Sequence, residues 1–236
     1  MITLSPEFSA DRPTRILLLG AHSDDIEIGC GATLLRLCSE LRQASFLWVV
    51  FGATGNRAEE ARASARDFLS DAHESSVEVF GHQDGHFPTQ FSAIKQRFEA
   101  LKTEFSPDLI FTHHGEDRHQ DHRVVSELTW NTFRNHLILE FEVPKYDGGL
   151  GDPNVFVPVS KALRDAKVGL LMKHFRSQAA KQWFEPELFN GLMRLRGLEG
   201  ASPDGYAEAF HCRKLTLGWP VNRTDRTIYP SIAVPT

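Results

Sequence analysis

Strand-like apolar runs at 15–20, 46–51, 77–80 and 108–112 are separated by helix-length segments at about 30–42, 57–72 and 91–104. That alternation predicts βαβ units and a parallel sheet. Phe91, Ile94, Phe98 and Leu101 recur at helical spacing and predict a core-facing stripe, and the segment 57–72 is rich in Ala, Arg and Glu. Farther on, 119–136 and 160–176 predict helices, 137–143 predicts another strand, and Gly148-Gly149-Leu150-Gly151-Asp152-Pro153 predicts a loop. The proline-containing tail after Gly218 predicts partly irregular backbone, and no internal repeat or low-complexity segment interrupts the pattern. The fold class expected is α/β, one Rossmann-like three-layer domain over 1–236 with a mainly parallel sheet.

Composition narrows the function classes. A length of 236 residues suits one large α/β domain with a well-buried core. A net charge of -5, a pI near 6.1 and no Lys/Arg stripe argue against a nucleic-acid partner. No apolar stretch approaches the ~18 residues of a membrane span, and Met1-Ile2-Thr3-Leu4-Ser5-Pro6-Glu7 has neither a basic nor a long apolar leader region, so a cytoplasmic protein without a membrane partner is expected. Cys30, Cys38 and Cys212 form no CxxC pair and read as small buried hydrophobes, which leaves sulfur out of any metal site.

Two clusters carry the chemistry. Ala21-His22-Ser23-Asp24-Asp25 follows the run at 15–20, and Asp117-Arg118-His119-Gln120-Asp121-His122 follows the run at 108–112. Both are expected at the carboxyl ends of strands, where ligands bind in open α/β sheets. A tight turn after the strand brings His22 and Asp25 to one point, and His122 completes a set of two imidazoles and one carboxylate. Such a set leaves coordination positions open, as catalytic Zn²⁺ requires, and another divalent metal such as Fe²⁺ suits the same donors. Asp24, beside Asp25, must point elsewhere and is expected to act as general base. His119 shares a helical face with His122. Protonated, it is expected to stabilise an oxyanion and then protonate a leaving amine, with Asp121 orienting it. The competing reading of Asp24-Asp25 is a helix N-cap pair. His73, His82, His86, His136 and His211 read as surface or satisfied core residues, whereas His113 and His114, beside the strand end, could substitute for a ligand.

These residues resemble the two signatures of the PIG-L/LmbE-like family of zinc-dependent N-deacetylases, A-H-P-D-D near the N-terminus and H-x-D-H later. The likeness continues through Ile26-Glu27-Ile28-Gly29-Cys30-Gly31-Ala32-Thr33, Gly55-Asn56-Arg57-Ala58-Glu59-Glu60-Ala61-Arg62, His174-Phe175-Arg176-Ser177-Gln178 and Tyr206-Ala207-Glu208-Ala209-Phe210, over roughly residues 15–215. The resemblance implies zinc ligands at His22, Asp25 and His122, a base at Asp24, an oxyanion-stabilising His119 and a substrate-reaching Arg57. It also implies an N-acetylated amino-sugar substrate. Ser23 stands where the family has Pro, releasing a fixed φ, and Ala32 where it usually has Gly.

The reaction expected is hydrolysis of an N-acetyl or other N-acyl amide, releasing acetate. Two rivals stay open: a metal-dependent amidase or esterase on a non-sugar substrate, and a non-catalytic sugar- or nucleotide-binding module on the same fold. Against the nucleotide module, the first turn lacks G-x-G-x-x-G and its acidic residues would repel a pyrophosphate. Segments 144–158 and 178–206 are the expected specificity rims. Homo-oligomerisation is left open.

Overall fold

The computed structural model describes residues 1–8 and 12–218. Its strands are β1 (Thr14–His22), β2 (Ala44–Gly52), β3 (Glu74–Val79), β4 (Leu109–His113), β5 (Leu137–Phe141), β6 (Val155–Val159) and β7 (Tyr206–His211). The helices are α1 (Asp25–Glu40), α2 (Gly55–Phe68), α3 (Phe91–Glu104), α4 (Gln120–Thr132), α5 (Lys161–His174) and α6 (Pro186–Glu199), with 3-10 turns at Phe87–Gln90 and Arg176–Gln178.

The strands form one sheet in the order β3-β2-β1-β4-β5-β7-β6. The first five run parallel, and β7 is antiparallel to both its neighbours, β5 and β6. Central strands of a covered parallel sheet are apolar on both faces, and β1 obeys this. Ile16 and Leu18 join a core with α1, α2, α5 and α6 on one side, while Leu17 and Leu19 join a second core with α3 and α4 on the other. The α/β class and the helix–sheet–helix layering are therefore those the pattern predicted.

Four elements depart from the expected pattern. α1 starts at Asp25, well before the expected 30, because the acidic turn runs straight into the helix, which then kinks at Cys30 (φ -143°, ψ 16°). β6 and α6 fall largely in the segments expected as rims, and β7 starts at the end of the second, where no strand was predicted. Their patterns were weak for physical reasons. β6 is an edge strand that tolerates Pro158, and β7 buries Glu208 in its middle. The tail after Gly218 lies outside the described residues.

β1 connects outward to β2 on one side and is flanked by β4 on the other, so the order in which parallel strands are added to the sheet reverses between β1 and β4. Sheets of this kind bind ligands in the crevice at that reversal, beyond the strands' carboxyl ends. His22 ends β1 and His113 ends β4.

Candidate metal centre

Strand ends and helix starts deliver the polar groups to one buried point. Asp24 is the N-cap residue of α1, yet its side chain makes no capping hydrogen bond. The N-cap placement of the acidic pair thus holds while capping does not commit the Asp24 carboxylate. Asp25, on the first turn, accepts the His22 backbone N–H on Oδ2 at 2.6 Å, which locks the turn after β1. α4 opens at Gln120 with His119 as its N-cap: Nδ1 of His119 accepts the Asp121 N–H at 3.3 Å.

Three donor atoms form a nearly equilateral triangle. His22 Nδ1 lies 3.3 Å from Asp25 Oδ2 and 3.3 Å from His122 Nε2, and His122 Nε2 lies 3.5 Å from Asp25 Oδ2. Tetrahedral zinc with bonds of about 2.0–2.1 Å sets its donors about 3.3 Å apart. All three residues are buried. The donor set thus fits a divalent cation, with His22, Asp25 and His122 as the residues that would hold it.

The surrounding groups prepare each ligand. Nε2 of His22 lies 3.1 Å from Asp121 Oδ2 and donates to that carboxylate. Burial lowers the His22 pKa, but Asp25, Asp121 and Asp84 outweigh it and hold the ring well above the ordinary imidazole value, so a metal at Nδ1 would displace a proton. Asp121 is fixed in turn by the backbone N–H groups of Gly85 (2.6 Å) and Phe87 (3.0 Å), and Gly85 holds φ +80°, where a side chain would be strained. The sequence placed Asp121 behind His119. Its carboxylate instead orients His22, and only its backbone N–H reaches His119. Nδ1 of His122 sits 3.1 Å from Asp117 Oδ2, which Lys145 Nζ holds at 2.6 Å. Burial and the neighbouring His113 push the His122 pKa down to about 3, so its ring is neutral and able to ligate.

His113 stands beside the donors: its Nε2 lies 3.3 Å from Asp25 Oδ2, and Asp25, His113 and His122 form a second group able to hold a metal. The same Nε2 accepts the Ala21 N–H at 2.9 Å, so that lone pair is committed. The ring, wholly buried, stacks on His122 with centroids 3.9 Å apart and walls the site. His114 turns away, its Nδ1 paired with Glu140 at 2.8 Å, and with His211, Asn154 and Arg213 lines an open depression of about 520 Å³. Gly151 of the loop at 148–153 packs close to the His114 and His211 rings. His73, His82, His86 and His136 lie outside the donor groups too. Cys30 and Cys38 are buried and Cys212 is half-buried.

Asp24 and His119 flank the triangle. Burial, and next the adjacent Asp25, raise the Asp24 carboxyl to about 6. Arg57 approaches it at 3.7 Å and is itself held by Ser23 Oγ (3.2 Å from Nε) and Asp84 Oδ2 (3.1 Å from Nη1). The serine that replaces the family's proline thus serves as a buried anchor for Arg57. The His119 ring lies 4.9 Å from that of His22 and 4.7 Å from that of His122. Its pKa is lowered, by burial and then by His22. With Nδ1 accepting from the backbone, the ring is neutral and carries its proton on Nε2, in contrast to the charged ring expected from sequence.

The sequence missed Asp84, whose half-exposed carboxylate reaches His22 Nε2 at 3.1 Å. An Asp-Gly dipeptide between strands reads as a turn, and no local pattern marks it otherwise. Asp117 stood inside the second cluster without an assigned role.

An open α/β sheet with imidazoles and carboxylates converging at its switch point defines an α/β protein with a candidate metal site. Residues 17–133 match the profile of the PIG-L family, GlcNAc-PI de-N-acetylase. The chain is 31% identical over 186 residues to the uncharacterised deacetylase YaiS of Escherichia coli (strain K12), covering 70% of this chain and 93% of that protein. It therefore belongs to the PIG-L family. Among solved structures, the N,N'-diacetylchitobiose deacetylase of Pyrococcus horikoshii shares the fold with a TM-score of 0.66 at 20% identity, over 84% of this chain and 83% of that one. GalB, the 4-carboxy-2-hydroxymuconate hydratase of Pseudomonas putida KT2440, does so with a TM-score of 0.67 at 16% identity, over 89% and 100%. Among the described residues, no helix is long and apolar enough to cross a membrane.

Proposed function

We propose that the protein is a zinc-dependent N-deacetylase that hydrolyses the N-acetyl group of an amino-sugar-containing small molecule in the cytoplasm. The observation that carries this reading is the triangle of His22, Asp25 and His122 with an uncommitted, buried Asp24 carboxylate at its side. Family membership and the amide-cleaving relatives support it.

A bound Zn²⁺ would supply Lewis acidity, polarising the amide carbonyl and easing ionisation of water. The rest is the work of side chains. Asp24 takes the proton of the attacking water as the new C–O bond forms. Nε2–H of His119 donates to the carbonyl oxygen as negative charge gathers there. When the C–N bond breaks, the proton held by Asp24 passes to the amine nitrogen, so amide and water become amine and acetic acid, whose own proton then leaves to give acetate and an ammonium product. A neutral His119 cannot supply that proton and keep its hydrogen bond, which assigns both transfers to Asp24. Arg57 and half-exposed Asp84, linked at 3.1 Å, offer a donor and an acceptor at the mouth for the hydroxyl groups of a sugar.

The test is acetate release from a panel of N-acetylated amino sugars and conjugates, with and without chelator. Release that chelation abolishes and zinc restores supports the reading. Cleavage of only non-sugar amides or esters would remove the sugar, and no cleavage of any substrate would remove the reaction.

A further inference from the structure

The kink in α1 has an unusual hydrogen-bond pattern. In a continuous helix the Ala32 N–H would donate to the Ile28 carbonyl. Here the Ala32 N–H donates to Glu208 Oε1 at 3.0 Å and the Thr33 N–H to Glu208 Oε2 at 2.6 Å, while the Ile28 carbonyl accepts from Lys167 Nζ at 2.6 Å. Lys167 and Glu208 close the circuit at 2.6 Å, both buried. An ion pair contributed by α5 and β7 thus takes the place of one broken helical bond, carboxylate on the N–H side and ammonium on the carbonyl side. Each charge also has the sign that complements its helix end.

The segment ahead of the kink carries the site. The Ile28 N–H donates to the Asp24 carbonyl at 3.1 Å, so Lys167 holds Ile28, and Ile28 holds the turn that presents Asp24 and Asp25. Glycines flank the kink where the packing is closest: a Cβ on Gly29 would lie 2.3 Å from the Phe141 ring, and one on Gly31 would lie 2.7 Å from the Phe68 ring and 3.4 Å from Lys167 Cγ. The adjoining cavity is only about 10 Å³, too small for an organic ligand, so the pair serves the backbone and not a bound molecule.

We propose that Lys167 and Glu208 are positioning residues for the reaction, setting the angle at which the first turn of α1 offers Asp25 to the metal and Asp24 to the water. This rests on the deacetylase reading above. Removing one charge strands the other in the core. The decisive variant is therefore the neutral double replacement Lys167→Met with Glu208→Gln, read beside Glu208→Gln alone. Three measurements apply: zinc affinity by chelator competition, kcat and KM for acetate release, and amide exchange across 24–33. The folded double variant should bind zinc about tenfold or more weakly and lose about tenfold or more in kcat with little change in KM, and amides across 24–33 should lose protection while those of β1 keep it. Wild-type zinc affinity, kcat and protection in the folded double variant would overturn the proposal. If the wild-type protein itself releases no acetate, the deacetylase reading fails separately, and exchange across 24–33 still decides whether the pair holds this turn.

Discussion

Asp121 Oδ2 lies 3.1 Å from His22 Nε2, a buried carboxylate behind a buried imidazole whose other nitrogen faces the metal position. This relationship gives Asp121 a job different from orienting His119. Outer carboxylates of this kind fix the ring and raise its basicity, and their loss typically costs 10–100-fold in metal affinity. Asp121→Asn should therefore weaken zinc binding by about that factor in chelator competition. Unchanged affinity with reduced kcat would return Asp121 to His119.

His119 and His122 are close in sequence and stacked, yet only His122 belongs to the triangle. His122→Ala should purify without stoichiometric metal. His119→Ala should keep it and lose on the order of 10²–10³ in kcat, as expected when one oxyanion donor is removed. Elemental analysis of the two proteins separates the roles, and equal metal loss would reverse them.

Asp24 is buried, uncapped and beside the ligand Asp25. Asp24→Asn keeps its size and cannot accept a proton, so kcat should fall by about 10²–10⁴ with zinc content unchanged. Near-wild-type turnover would remove Asp24 from the mechanism.

How much of this was legible in the sequence depended on where the signal lay. β1 and β4 were readable because a strand buried on both faces is a continuous apolar run, and the two metal motifs were readable because their donors cluster within a few residues at the ends of those strands. β6, β7 and α6 were not, since an edge strand with Pro158 and a strand burying Glu208 break the apolar pattern. The partner of Asp121 was invisible for another reason. Its contact with His22 spans 99 positions, and helical spacing speaks only about neighbours. Asp84 and the neutral His119 likewise follow from packing between distant segments.

Glu140 offers a pH test away from the metal. Burial opposes its ionisation, but His114, the Gly115 N–H, Arg213 and Trp130 together hold its pKa below the ordinary 4.5. A depressed carboxyl contributes stability above its unfolded value and loses it as pH falls through the folded one. Glu140→Gln should therefore be less stable than wild type at about pH 7, with the gap narrowing toward about pH 3 in urea unfolding. A gap independent of pH would show that the ionised carboxylate contributes nothing.

The central claim is that this site uses water to cleave an N-acetyl amide, whereas the same fold also carries a hydratase. The most direct measurement is turnover of an N-acetylated amino sugar in water labelled with heavy oxygen, followed by mass spectrometry of both products. The account predicts label in the released acetate and none in the free amine, with turnover lost on chelation and in Asp24→Asn. Label retained in an uncleaved organic product, or acetate formed equally well by the chelated protein, would contradict it.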